Sequence, residues 1–203
     1  ELPAGITVIR TPVARVVVME TVYMGYHDAL NQLDTIIAAA TPDYISNATI
    51  RTRIEDGTIQ KVQSGAALNI ERMLMRQPDL ILSSSTGDPA FDVPLKLARA
   101  GLPVVLSAGY MEQHPLARAE WIKFIAAFFN AEHLAEQIFE ASATRYELLL
   151  KKVEQIEQRP TVFCGAPYSG AWHMAGGESY LAQAIRDAGG DYLWADVPGS
   201  GAI

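Results

Sequence analysis

The segment from Leu116 to Gln158 contains no glycine and no proline and consists largely of good helix formers. Its apolar residues recur every three or four positions, which is the spacing of one face of an α-helix. Asn130 interrupts the pattern, and asparagine both tolerates the left-handed conformation that ends a helix and caps the next one. We therefore expect two helices, and the second, residues 131–158, would be about 40 Å long at about 1.5 Å per residue. A helix of that length can join two lobes, and the rest of the chain favours this interpretation over a long core helix.

The chain before this segment alternates short β-branched runs with helical segments. The predicted strands are Arg15–Met19, Ile36–Ala40, Asp79–Ser83 and Pro103–Leu106. The predicted helices are Val22–Leu33, Ile70–Gln77 with Asn69 as its cap, and Phe91–Ala100. A long polar connection from Thr41 to Leu68 has no predicted element and is expected to be functional or to lie on the surface. The alternation predicts an α/β fold in which a Rossmann-like parallel sheet has helices on both faces.

The alternation begins again after the long helix and then stops. The predicted elements are a strand at Thr161–Cys164, an extended Trp172–Met174, a helix from Gly176 to Ala188 and a strand at Asp191–Trp194. So few elements cannot bury a core, so we expect an incomplete second α/β lobe that more chain or another chain completes. The predicted organisation is an N-terminal lobe (1–116), a helical spine linking the lobes (117–158) and the start of a C-terminal lobe (159–203).

The net charge of −7 and the scattered basic residues argue against a nucleic-acid surface, which requires a basic patch. The single cysteine, Cys164, excludes an intramolecular disulfide, and its apolar surroundings predict a place in a buried strand. No apolar run has the length of a membrane helix, and no signal peptide is visible. Because the chain begins at Glu1 without a methionine, it has the character of a mature or trimmed product.

Ligands of open α/β sheets bind beyond the carboxyl ends of the strands. The loops predicted there are rich in tyrosine, serine, methionine and tryptophan and poor in charge, which suits a neutral or aromatic ligand. The candidate ligand-binding residues are Tyr23, Ser84, Ser85, Tyr110, Met111, His114, Tyr168 and Trp172.

Two other classes of site remain open. His27, His114 and His173 follow predicted strands and could hold zinc or manganese directly, although no metal-type spacing links them. The loop from Ser83 to Thr86 follows a strand, where a hydrolase nucleophile can lie, but the sequence has no Gly-x-Ser-x-Gly turn. The glycine spacing of Gly165–Gly170 is that of a P-loop without its lysine, so nucleotide binding is not expected. We expect a binding protein without a cofactor, rather than an enzyme.

Several motifs in order resemble those of a known family. They are residues 11–18, the Asn-x-Glu-Arg motif at 69–72 followed by Pro-Asp-Leu at 78–80, residues 101–105, 114–122 and 176–180, and Asp-Ala-Gly-Gly-Asp-Tyr-Leu-Trp at 187–194. In these motifs the chain resembles the periplasmic substrate-binding proteins of ABC importers whose two α/β lobes are joined by one rigid helix. That group takes up ferric siderophores, haem and cobalamin.

The resemblance implies capture of a small metal chelate between two lobes and its delivery to an ABC permease in the inner membrane. It implies that Glu71, in the Asn-x-Glu-Arg motif, docks on an arginine pocket of that permease. It also implies a periplasmic protein, or an exported one anchored to the membrane by a lipid. The family's second lobe continues past the position of Ile203 and carries a second docking glutamate that this sequence does not contain.

Overall fold

The computed structural model describes residues 6–40, 44–64, 67–85 and 93–199. The chain divides into two compact units, the first formed by residues 1–108 and 124–135 and the second by residues 109–123 and 136–203. Within the described residues, no helix combines the length and the apolar character needed to cross a bilayer. The three-part organisation expected from the sequence stays a prediction.

The first unit contains a five-stranded, fully parallel sheet in the order β3-β2-β1-β6-β7. Its strands are β1 (Val16–Val18), β2 (Ile36–Ala39), β3 (Gln60–Lys61), β6 (Leu80–Ser83) and β7 (Val104–Leu106). Its helices are α1 (Val22–Ala29), α2 (Ala48–Glu55), α3 (Ile70–Arg76) and α4 (Val93–Arg99). The predicted α/β class and the parallel sheet are therefore confirmed.

The centre of this sheet is dry, which explains why its strands show no polar alternation. The three valines of β1 are all inaccessible to solvent, as are Leu80, Ile81 and Leu82 of β6. A strand covered by helices on both faces needs apolar side chains at every position.

The described part of the segment from Thr41 to Leu68, residues 44–64 and 67–68, contains regular elements that the sequence did not predict. It contains α2, β3 and a small antiparallel pair formed by β4 (Gln63–Ser64) and β5 (Ala67–Leu68). Asn47 caps α2, since its side-chain oxygen accepts a hydrogen bond from the Ile50 N–H at 3.1 Å. Only Ile50 of this helix is buried, so the helical periodicity is too weak to read in the sequence.

The long helical segment consists of α5 (Pro115–Ala126) and α6 (Glu132–Val153). Asn130 has φ = 52°, so the predicted left-handed break is confirmed. The second helix is shorter than predicted, because its 22 residues end at Val153, which gives about 33 Å at about 1.5 Å per residue.

The second unit contains three further local structures. The strands β8 (Thr161–Val162) and β11 (Asp191–Tyr192) pair in parallel, and β9 (Ala166–Tyr168) and β10 (Ala171–His173) form a hairpin. The helix α7 (Tyr180–Asp187) begins later than predicted because Ser179, and not Gly176, is its cap. Cys164 lies beyond the end of β8 and is half-buried, so its predicted place inside a buried strand is wrong.

Gly25, in the middle of α1, offers a test of the helix assignment. Because a Cβ added there meets no atom within 4 Å, we expect Gly25→Ala to raise the free energy of unfolding by about 0.5–1 kcal/mol. The matched control is Gly57→Ala, where the space is equally open but φ is +81°. That substitution should cost about 1 kcal/mol, because alanine is strained in the left-handed region. Chemical denaturation of both variants distinguishes the two effects, and a destabilising Gly25→Ala would contradict the assignment.

Candidate functional site

The carboxyl end of the first unit's sheet has one point at which the strand order reverses. From β1 the chain proceeds outward to β2 and β3 on one side, and then to β6 and β7 on the other. In open α/β sheets the crevice at such a switch point is where ligands bind. Here it is formed by the residues that follow β1 and β6.

Glu20 lies at this switch point and is the acceptor of a small hydrogen-bond network. Its Oε1 accepts from the Ser84 backbone N–H at 3.1 Å, from the Ser84 hydroxyl at 3.1 Å and from the Ser83 hydroxyl at 3.4 Å. Within the described part of the chain, its buried Oε2 has no partner at hydrogen-bonding distance. Burial raises the pKa of the Glu20 carboxyl, and the bonds from the two serines act in the opposite direction.

Of the candidate residues in the first unit, Tyr23 is buried and Ser84 contacts Glu20 directly. Tyr23 is only 1% exposed, and burial together with the Glu20 charge raises the pKa of its phenol well above the ordinary value. Ser84 and Ser85 directly follow β6 and are half-buried. Thr86, the last residue of the loop considered for a hydrolase, lies outside the described residues.

A second depression lies at the same edge of the first unit, beside the starts of α1 and α2. It has a volume of about 560 Å³, and its lining includes Thr21, Asp28, Tyr44 and Asn47. Tyr44 is 80% exposed, which makes it the most accessible aromatic side chain among the described residues. The Asn47 amide donates to the Asp28 carboxylate at 3.1 Å and so ties the end of α1 to the start of α2.

Sequence reasoning placed Glu20 and Tyr44 in loops at the carboxyl ends of strands but did not select either as a candidate ligand-binding residue. An acidic residue directly after a fully buried strand is the signal that identifies Glu20, because the carboxyl end of that strand was already predicted.

In the second unit, Tyr110 and Met111 lie on a single 3₁₀ turn, Gly109–Met111, and are 52% and 66% exposed. Arg118 of α5 holds this turn by donating to the carbonyls of Tyr110 at 2.8 Å and Glu112 at 2.9 Å. The same guanidinium lies 4.0 Å from the centre of the Tyr180 ring, a cation–π contact. The turn therefore presents two accessible side chains from a fixed backbone.

One ring nitrogen of His114 caps the start of α5. Its Nδ1 accepts from the Leu116 N–H at 3.1 Å, and its ring meets that of Tyr146 edge to face at 5.9 Å between centroids. His114 as a whole is exposed.

The β9–β10 hairpin presents Tyr168 and Trp172, which are 72% and 41% exposed. The Trp172 indole stacks on Phe163, with 4.9 Å between ring centroids and 32° between planes. Tyr168 meets the ring of His173 edge to face at 5.8 Å. These rings are accessible aromatic surface of the kind that the sequence predicted for this loop.

His27 does not face an open surface, contrary to the hypothesis that it joins a metal site. Its ring is fully buried against Phe129, with 5.1 Å between centroids, and its Nδ1 lies 2.7 Å from the Tyr23 carbonyl. Within the ranges that the structure describes, no group of three metal-ligating side chains is present. The hypothesis that His27, His114 and His173 bind zinc or manganese together therefore has no support from the geometry.

Glu71 is exposed in the first turn of α3, which Asn69 caps by accepting from the Arg72 N–H at 2.8 Å. A carboxylate at this position is favoured by the helix dipole in any case. Its predicted role in docking stays a prediction.

Comparison with known proteins agrees with the class that this fold defines, an α/β protein with a parallel sheet. The sequence model of the periplasmic binding proteins matches residues 16–202, so the chain belongs to the periplasmic binding protein family. That family consists of binding proteins rather than enzymes.

An uncharacterized lipoprotein of Methanocaldococcus jannaschii is 27% identical over 96% of this chain and 48% of its own length. The chain spans about half the length of the curated relatives it matches.

Two solved structures illustrate the fold. The periplasmic vitamin B12-binding protein of Vibrio cholerae matches with a TM-score of 0.66 at 17% identity. The match covers 95% of this chain and 70% of the Vibrio protein. A protein of an ABC-type Fe³⁺-hydroxamate transport system from Saccharomonospora viridis has a TM-score of 0.69 at 20% identity, covering 95% and 68%.

Proposed function

We propose that this chain is the substrate-binding component of an ABC importer that captures a metal chelate, either a ferric siderophore, haem or a corrinoid. The observation that carries the proposal is the family match over residues 16–202. The named cargoes of structural neighbours, vitamin B12 and Fe³⁺-hydroxamate among them, indicate the chemical class. The accessible rings of Tyr44, Tyr168 and Trp172 suit a large ligand with apolar and aromatic faces.

The mechanism is capture without covalent chemistry. The switch point of the first unit offers hydroxyl groups that can hydrogen-bond the periphery of a chelate. The β9–β10 hairpin of the second unit, taken by itself, offers aromatic faces for stacking. The turn held by Arg118 contributes Tyr110 and Met111, and its fixed backbone lowers the entropy lost on binding.

Delivery depends on a membrane partner. We propose that the exposed Glu71 pairs with a basic pocket on the permease, so that the loaded protein docks through its first unit. The lipoprotein names of two relatives favour an exported protein held at the membrane by a lipid.

Tryptophan fluorescence tests the capture of a chelate. All three tryptophans lie in the second unit, and only Trp172 belongs to the candidate site. We expect one chelate among ferric siderophores, haem and cyanocobalamin to quench the emission, and Trp172→Ala to weaken its affinity by about 10-fold, the effect of losing one stacking contact of about 1.4 kcal/mol. The control is Trp194→Phe, which alters the other indole stacked on Phe163 and should leave the affinity unchanged. A chelate that binds both variants equally would remove Trp172 from the site.

A further inference from the structure

The hydrogen bonds around Glu20 determine what the switch point can offer to a ligand. The Ser84 backbone N–H and the Ser84 hydroxyl both donate to Glu20 Oε1, at 3.1 Å each. The Ser83 hydroxyl has two acceptors in reach, Glu20 Oε1 at 3.4 Å and the Ser84 carbonyl at 3.3 Å. Whichever of these it chooses, its single proton is committed within the protein.

The Ser84 hydroxyl is therefore left to a ligand only as an acceptor, because a hydroxyl that has donated its proton retains only lone pairs. The Ser83 hydroxyl and Glu20 Oε2 are buried, so they act on a ligand through Ser84 and through charge rather than by direct contact. The Ser84 hydroxyl stays an acceptor even if Glu20 carries a proton on Oε2, because Oε1 still accepts from Ser84.

The negative charge of Glu20 also favours a hydrogen-bond donor over an anionic group on the ligand. Among the residues that the structure describes, no lysine or arginine forms an ion pair with Glu20. Among the described residues its buried Oε2 has no partner within hydrogen-bonding distance, and the nearby Tyr23 phenol is a neutral group that leaves the charge of the carboxylate in place. An anionic group brought to this crevice would meet a negative potential in a site of low dielectric constant.

We propose that the switch point of the first unit selects a chelate whose facing edge carries hydrogen-bond donors, such as amide, amine or hydroxyl groups, and rejects an edge that carries carboxylates. The proposal rests on the proposed function, since it specifies the cargo of that same site. Glu20 is the specificity-determining residue, and Ser84 is the contact through which its preference reaches the ligand.

Three matched pairs of chelates test this selection, each with one member that bears an added or free carboxylate. They are a ferric trihydroxamate with a free amine against its N-succinyl derivative, cyanocobalamin against its monocarboxylic acids, and haem dimethyl ester against haem. In any pair that binds, we expect the member without the carboxylate to bind about 10-fold more tightly, which corresponds to about 1.4 kcal/mol.

Glu20→Gln should reduce that preference to below about 3-fold, because glutamine keeps an oxygen for the Ser84 donors and removes the charge. The control is Glu55→Gln, which removes the same charge from an exposed position at the end of α2 and should preserve the preference. If Glu20→Gln fails to fold, Ser84→Ala serves instead, since it keeps the N–H bond to Glu20 and loses only the hydroxyl. It should weaken the donor-bearing member more than the carboxylate member.

The outcomes separate this inference from the proposed function. Equal or tighter binding of the carboxylate members by the unmodified protein overturns the inference and leaves the proposed function intact. A preference that persists undiminished in Glu20→Gln overturns the assignment to Glu20. Failure of all six chelates to bind overturns the proposed function itself.

Discussion

Ile81→Ala is expected to lower the free energy of unfolding by about 4 kcal/mol. Ile81 lies in β6, between β1 and β7 in the parallel sheet, and none of its surface is exposed. It belongs to the main apolar cluster with Val17, Met73 and Leu97. Truncation removes three buried carbon atoms and leaves a cavity that a strand flanked on both sides cannot close, a change that costs about 2–5 kcal/mol in comparable cores.

The matched control is Leu95→Ala, which deletes the same number of carbon atoms from a side chain that is 47% exposed on α4. It should change stability by no more than about 0.5–1 kcal/mol. Both variants are best followed by far-UV circular dichroism or amide exchange of β1 and β6. Fluorescence is unsuitable, because every tryptophan lies in the second unit. A loss below about 1 kcal/mol for Ile81→Ala would contradict the position of β6 in the core.

Acidification from about pH 6.5 to pH 4 is expected to destabilise the first unit through His27. Burial lowers the pKa of this imidazole to about 4, and its bond to the Tyr23 carbonyl only partly opposes the effect. The unfolded chain therefore binds a proton in this window that the folded chain does not. Stability from His27 is complete above about pH 6.5 and is lost as the pH falls through about 4, by at most about 3 kcal/mol.

The measurement is the difference in unfolding free energy between the unmodified protein and His27→Leu as a function of pH. Taking the difference removes the titration of other groups, including that of Glu20, whose raised pKa acts with the opposite sign. We expect the difference to slope between about pH 6.5 and pH 4 and to be flat above. The control is His133→Gln, at an exposed histidine in the first turn of α6. The difference in unfolding free energy between this variant and His27→Leu should show the same slope. Parallel curves for the unmodified protein and His27→Leu would contradict the buried neutral imidazole.

The sequence was sufficient for elements whose signals are local. The valines of β1 and the apolar run of β6 are dictated by burial on both faces, and Asn69 and Asn130 mark helix ends by their own conformational preferences. Strand β3 could not be found in this way. Gln60 and Lys61 are recruited by pairing with Ala38 and Ala39, so their strand conformation comes from tertiary context rather than from their side chains.

The site was less predictable than the sheet for a similar reason. Loop composition identified the carboxyl edge, but not which way each side chain points. Tyr23 and His27 are four residues apart on α1 and so share the face that is buried, whereas the sequence placed both toward an open cleft. The importance of Glu20 depends on Ser83 and Ser84, which lie far away in sequence and meet it only because β1 and β6 are neighbours.

The central claim, capture of an intact metal chelate, is tested most directly by isothermal titration calorimetry. Three kinds of titrant are compared. They are the intact chelates (an iron-loaded siderophore, haem and cyanocobalamin), the siderophore without iron, and the free ions Fe³⁺, Zn²⁺ and Mn²⁺. We predict saturable one-to-one binding of one chelate and no saturable binding of the free ions. Saturable binding of free zinc or manganese with no response to any chelate would contradict the account.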